Sequence, residues 1–567
     1  LTLAYDITGR VTKVTDPLEN VASYGYDKMG NLTSITDQNG NTSTFSYDLV
    51  GNLKKENLSY GAIRTYEYDS LNRLVKFVNG RGQETGLTYD NSGRLATYDN
   101  VSYVYDNNGN VLTVTDQAGT ITRTYDALNR ITSVTDTNGN TISYQYDEVS
   151  NLKAITYPSG EVVTYTYNLL NQLTKVTDYK GRETLYTYDE NSRLLTTKTP
   201  DGTVETCAYN VAGQLIQKKI AYKDNVVTHK YSYDETYKTI SESAEIQNES
   251  IFPELNGTGN FNDAVMSYGN GNRLETYNGK TLMYDNDGNM TNAPLNGTMT
   301  EYVYDKYNNL ISVGTTQYSY DAEGTRISQN NNGDTTTYIT NKNTSLSQLL
   351  VKQNSDGTET IYVYGLGLIS QETKTGATYS NYRAYQFDNR GSALSLTNQS
   401  GEITDRFFFD PYGELIGRHG NTDTIFMYVG KYGVQTDNNG LLYMRARYYN
   451  TDIKRFVNVD PIRDGLNWYG YVEGDPVNKI DPTGLDSYMF YNPDTFGFTD
   501  SYITAWQSDL ATEFYGGDTS KVHLIPLTVR DGKTSKQILE EEWSNMSKDS
   551  SIDVVLFHGH GDKKIKL

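Results

Sequence analysis

Apolar and polar positions alternate along most of this chain in short runs, and the runs recur. Tyr-Asp or Tyr-Asn pairs start at Tyr5, Tyr26, Tyr47, Tyr68 and Tyr89, and again at Tyr125, Tyr146, Tyr167, Tyr188 and Tyr209, each 21 residues after the last within its series. One unit, YDKMGNLTSITDQNGNTSTFS from Tyr26, predicts its own elements. Gly30-Asn31 is a turn signal, Leu32 to Thr36 a short β-rich run, Asn39-Gly40 a tight hairpin turn, and Thr42 to Tyr47 a strand with Phe45 and Tyr47 on one face. Each unit reads as one two-stranded hairpin, too small to be stable alone, and stacking many of them buries a continuous surface. Between Glu235 and Lys280 the period lapses in a Ser/Asn/Glu-rich insertion, a surface excursion of the same scaffold, before Tyr284, Tyr304 and Tyr320 resume it less regularly.

Past residue 485 the pattern changes. Ile503, Trp506, Leu510 and Phe514 fall at helical spacing, with Gly516-Gly517 as a stop, and Ile538, Leu539, Trp543 and Met546 mark a second helix capped near Thr534 or Ser535. Between and after them, VHLIPL from Val522 and DVVLF from Asp553 read as strands. A helix-strand-helix-strand order predicts parallel strands in a small α/β domain and puts His558 at the carboxyl edge of the sheet.

Composition agrees with a repeat array. At 567 residues the chain is too long for one ordinary core, and its 51 Tyr far outnumber its 15 Phe and 3 Trp. Mean hydropathy is −0.64 although 36% of residues are hydrophobic, so much of the apolar surface is phenolic, as suits strands with one wet face. Tyr at strand spacing is the packed face before it is a carbohydrate platform. The net charge of −21, with no Lys/Arg stripe, argues against nucleic-acid binding by the repeats. No apolar run reaches the length of a membrane span. The lone Cys207 excludes a disulfide framework and a thiolate metal site; inside a repeat it reads as a strand thiol. Residue 1 already lies within a repeat, so a natural N-terminus further upstream is expected.

The units resemble the YD repeats of the Rhs family, which spans bacterial polymorphic toxins, wall-associated proteins, the C component of Tc insecticidal toxins and the teneurins. The resemblance covers about residues 1 to 485. It implies a mainly β fold in which the YD-repeat sheet spirals into a hollow shell around a C-terminal cargo. DRFFFDPYGELIG from Asp405 and GLLYMRARYYNTDIKRFVNVDP from Gly440 are similar to the family's core-associated closing segment. The division expected is a repeat shell over 1–400, a closing segment over 401–485 and a variable, truncated α/β toxin-like domain over 486–567.

The stretch DPIRDGLNWYGYVEGDPVNKIDPTGLD from Asp460 carries the candidate chemistry. Two neighbouring carboxylates cannot both ionise cheaply; one holds a proton while the other acts as base, the pairing that activates water against an amide. The resemblance implies that Asp460 and Asp481 form such a pair, that Arg447 supports it, and that an aspartic autoprotease cuts after the Leu of Asp-Pro-x-Gly-Leu, between Leu485 and Asp486. On the residues alone a bland reading stays open: Asp-Pro and Pro-x-Gly are turn formers, and Arg447 is a sheet-edge charge. Two departures from the family pattern stand nearby, Asn450 in place of Asp and DIKRF in place of Gly-Arg-Phe. Asp475-Pro476 reads as structural.

In the tail, VVLFHGHGD is the candidate effector site, with His558, His560 and Asp562. A strand ending in His-Gly suits a hydrolase oxyanion hole or a caspase-like histidine, yet no Cys follows Cys207 and no Gly-x-Ser-x-Gly occurs. His-x-His alone does not establish a metal site. An exposed His in a Gly-rich turn is the equal alternative. Neither cofactor nor metal is expected.

Two readings follow. The first is a secreted or wall-associated toxin that encloses its own C-terminal effector, releases it by self-cleavage, and meets an immunity protein and a target-cell component. The second is a surface adhesion protein whose repeats bind a glycan or protein without processing.

Overall fold

The computed structural model describes residues 2–247, 264–463, 467–485, 488–489, 523–526 and 555–558. Among them, 24 strands from Thr2 to Ile246 form one antiparallel sheet, each strand pairing with the next, and 14 strands from Met283 to His419 form a second. The mainly β architecture expected from the repeat is the one found, and there is no α-helix among the described residues.

Each repeat supplies two strands, such as Leu32–Thr36 and Thr42–Tyr47. In the second, Ser43 is buried and Phe45 and Tyr47 half-buried, while Thr42, Thr44 and Ser46 face out. The hairpin turn expected at Asn39-Gly40 is found, with Gly40 left-handed at φ +82° and its N–H donating to the Asp37 carbonyl at 3.0 Å. It is a five-residue loop, Asp37 to Asn41, because Thr36 pairs with Thr42. The Asp37 Oδ1 accepts the backbone N–H groups of Asn39 and Asn41 at 2.9 and 2.8 Å, and Oδ2 accepts from Asn41 Nδ2 at 3.0 Å. The aspartate side chain and the left-handed glycine organise the loop together. Asp27 repeats the arrangement at the other end of the unit, and its hydrogen bond from Asn31 holds its carboxyl below the usual range.

The tyrosine of each pair has an equally specific task. Tyr47, Tyr68, Tyr89, Tyr146, Tyr167, Tyr188 and Tyr209 each donate their hydroxyl to a backbone carbonyl 15 residues earlier, at 2.7–3.0 Å. The strand register slips by one residue just before the tyrosine, a bulge that recurs from repeat to repeat. Where arginine ends the turn, it pairs with the aspartate and lies over the next tyrosine, as Arg130 does with Asp126 at 2.7 Å and with Tyr146 at 4.7 Å from the ring centroid.

The chain divides into two compact units. The first comprises Leu1–Ala4, Val11–Asn341 and Gln348–Pro493. Within it, Val114, Ile155 and Val176 of the first sheet join Ile361, Tyr362 and Phe407 of the second in one core. A second core joins Leu58 and Tyr60 to Tyr302, Tyr448, Val457 and Tyr469, so the C-terminal segment is buried against both sheets. The first sheet runs past Glu235 to Ile246, deep into the stretch expected as an irregular excursion, and Met266–Tyr268, Leu274–Tyr277 and Lys280–Thr281 form a small sheet of their own. Cys207 is buried with Leu215 and Tyr231. In the second unit, His523–Pro526 and Val555–His558 pair in parallel, the pairing expected of the tail. The two helices expected there lie outside the described residues.

Candidate functional site

Residues 435 to 456 fold as a small antiparallel sheet of Gln435–Thr436, Leu442–Met444, Arg447–Asn450 and Arg455–Phe456. All four residues of the strand Arg447–Asn450 are buried. Arg447 is therefore no sheet-edge charge: it is 3% exposed, and its guanidinium carbon lies 3.6 Å from the centre of the Phe456 ring.

A buried guanidinium needs acceptors for its fixed fork of donors. Its Nη2 lies 3.6 Å from Asp460 Oδ2 and 3.5 Å from Asp481 Oδ2, so both carboxylates reach one nitrogen. Nη1 donates to the Trp468 carbonyl at 3.1 Å, and Nε to the Gly484 carbonyl. Asp460 and Asp481 are 4% and 3% exposed.

Local turns aim both carboxyls. Asp460 opens a turn in which Ile462 N–H donates to its Oδ1 at 3.0 Å and Arg463 N–H to its carbonyl at 3.2 Å, while its own N–H donates to Trp468 O at 2.9 Å. Asp481 Oδ1 accepts from the N–H groups of Thr483, Gly484 and Leu485 at 3.2, 2.8 and 3.2 Å and from the Thr483 hydroxyl at 3.0 Å. Burial pushes the Asp481 carboxyl up to about 6 against the pull of Arg447 and these donors.

The Asp481–Leu485 loop lies tightly along the Arg447 strand, with Ala446 N–H donating to Thr483 O at 3.0 Å. Gly484 has φ +70°, and a Cβ there would lie 2.6 Å from Met444 O and 2.9 Å from Arg447 N. Only glycine fits. The chain then returns through Tyr488–Met489, which pairs with Lys479–Ile480.

The structure thus brings Arg447, Asp460, Asp481 and Leu485 together. Asp486 lies outside the described residues, as do His560 and Asp562; His558 ends the strand Val555–His558, its backbone opposite Pro526. Asn450 has a packing task, donating to Pro294 O at 2.7 Å and Tyr302 Oη at 3.3 Å. Asp475 holds its own turn through Asn478. The Trp468 carbonyl, which gathers Asp460 and Arg447, was not foreseen, because a backbone acceptor leaves no residue signature. Among the described residues no cluster of His, Cys, Asp and Glu could hold a metal ion, and no helix is long and apolar enough to cross a membrane.

Known proteins share this arrangement of repeats. The Teneurin YD-shell family model matches residues 1–121, and the RHS Repeat model matches 105–141, 125–162, 146–178 and 167–204. The chain is 29% identical over 231 residues to the tRNA3(Ser)-specific nuclease WapA of Bacillus spizizenii, covering 38% of this chain and 9% of that protein. It is 24% identical over 352 residues to the double-stranded DNA deaminase toxin A of Burkholderia cenocepacia, covering 52% of this chain and 23% of the other. The chain therefore spans less than a quarter of the length of either relative. A TcdB2-TccC3-Cdc42 crystal structure shares the fold over 85% of this chain and 31% of its own, with a TM-score of 0.67 at 18% identity. Repeat period, strand architecture and these matches together make the chain an Rhs-type YD-repeat protein.

Proposed function

We propose that this chain is the shell of a secreted or surface-displayed Rhs-type polymorphic toxin, which encloses a C-terminal effector and frees it from the shell chain by cutting after Leu485. The proposed division is a repeat shell over 1–400, a closing and processing segment over 401–485, and an effector from 486. One observation carries the reading: two buried carboxyls converge on a single guanidinium nitrogen, and one of them also accepts the N–H of Leu485.

In this mechanism the pair shares one proton, with Asp481 the carboxyl that burial inclines to hold it. Asp460 takes a proton from water, whose oxygen attacks the Leu485 carbonyl carbon. The tetrahedral species collapses as the Leu485–Asp486 C–N bond breaks. The Asp486 nitrogen takes up the proton from Asp481, leaving a Leu485 carboxylic acid and a free amine, with the proton from water now on Asp460. Arg447, fixed on the Gly484 carbonyl, holds the peptide in register with both carboxyls.

The adhesion reading is less well supported, since the repeat tyrosines commit their hydroxyls to internal carbonyls. Native size-exclusion chromatography followed by denaturing electrophoresis and N-terminal sequencing tests the proposal. The expected result is a fragment beginning at Asp486 that co-elutes with the shell in native buffer and separates in urea. A single intact chain, or a fragment beginning elsewhere, contradicts it.

A further inference from the structure

The 21-residue repeat places a charge at an inward position that its neighbouring repeats fill with apolar residues. Ile35, Glu56 and Phe77 are spaced 21 apart at the fourth place of their strands, and the middle one is a carboxylate. Glu56 is nonetheless 5% exposed, and its cross-strand partner is another buried charge, Arg64. Buried charges persist where something specific meets them. Glu56 Oε1 accepts from Arg463 Nη1 at 2.8 Å, across 407 residues of sequence, and Oε2 accepts from the Tyr66 hydroxyl at 3.1 Å.

Arg463 is the fourth residue of the Asp460 turn. Its backbone is left-handed, φ +56°, a conformation a non-glycine residue holds only when its surroundings enforce it. Its guanidinium carbon also lies 5.7 Å from the Trp468 ring centre, and the Trp468 carbonyl is the acceptor shared by Asp460 N–H and Arg447. Glu56 therefore grips the turn that aims Asp460 without touching the scissile peptide.

We propose that Glu56 is a positioning residue for the Asp460/Asp481 pair, and that its ion pair with Arg463 makes processing conditional on the N-terminal repeats having docked onto the C-terminal segment. The inference rests on the self-cleavage reading above. Its consequence is an order of events: the chain is cut only after its first repeats are in place, which prevents a half-built shell from losing its cargo.

The test follows processing of the full chain by intact mass, from in vitro synthesis onward, with thermal unfolding as a control. Glu56→Gln and Arg463→Gln are each expected to slow processing by about ten- to a hundredfold. The double variant is expected to be no slower than either single one, because both act through one contact. Arg463→Lys, which keeps the charge, retains most of the rate. Ile35→Ala, at the equivalent place one repeat earlier, leaves the rate unchanged although it thins the same sheet face. If Glu56→Gln does not fold, the contrast between Arg463→Gln and Arg463→Lys carries the test. Wild-type rates in Glu56→Gln and Arg463→Gln, with Asp481→Asn uncut, overturn this inference alone. An uncut wild type, or a cut Asp481→Asn, overturns the self-cleavage reading and this one with it.

Discussion

The Asp481 carboxyl receives four donors on one oxygen, yet its burial outweighs them and carries its pKa from 3.8 to about 6. The folded chain thus binds this proton more tightly than the unfolded chain. The resulting stabilisation is complete below about 4 and is lost as pH rises through about 6. The stability of wild type relative to Asp481→Asn should fall across that window, read as urea midpoints at stepped pH. Self-cleavage should slow over the same rise, since the shared proton is the one given to the leaving amine. At Gly484 the constraint is steric. A Cβ would press on Met444 O and Arg447 N, so Gly484→Ala should cost about 1–3 kcal/mol and leave the chain uncut, measured by urea unfolding and intact mass. The acids and the arginine could be named from the sequence because a motif matched. Their convergence could not, since it depends on Trp468 and Gly484 backbone carbonyls that any residue would supply.

A single repeat explains why the composition is so rich in tyrosine and so poor in phenylalanine. The ring covers the half-buried face, and the hydroxyl ties its strand to a carbonyl of the preceding strand, as Tyr167 does to Leu152 at 3.0 Å. Tyr167→Phe keeps the ring and loses that bond, so it should cost about 1 kcal/mol, with faster amide exchange confined to the neighbouring hairpins. The 21-residue spacing and the alternation of apolar positions made these strands legible. The Asn-Gly dipeptide marked the turn, while the part played by the aspartate two residues earlier, which accepts two backbone N–H groups and fixes the loop at five residues, was not legible in spacing. The anomaly at Glu56 was visible in the same alignment of repeats, as a charge in an apolar column. Its partner Arg463 lies too far along the chain for spacing to find it.

At the scale of the first compact unit, a second buried arginine pins the C-terminal segment to the later repeats. Arg326, 2% exposed, donates to both Asp437 oxygens at 2.8 and 2.7 Å, to Gln435 Oε1 at 2.6 Å and to the Tyr448 hydroxyl at 3.0 Å. Arg326→Met strands the Asp437 charge and should cost about 3–5 kcal/mol, whereas pairing it with Asp437→Leu should recover most of the loss in thermal unfolding. Arg326 thus attaches the C-terminal segment to the later repeats, while Arg447 gathers the two carboxyls of the proposed chemistry and the Glu56–Arg463 contact joins their turn to the first repeats. The most direct measurement of the central claim is the intact mass of the full chain beside Asp460→Asn and Asp481→Asn. The account predicts that wild type appears as two pieces divided between Leu485 and Asp486 while both variants stay whole. A wild-type chain that remains in one piece at mildly acidic pH, or variants that divide as wild type does, would contradict it.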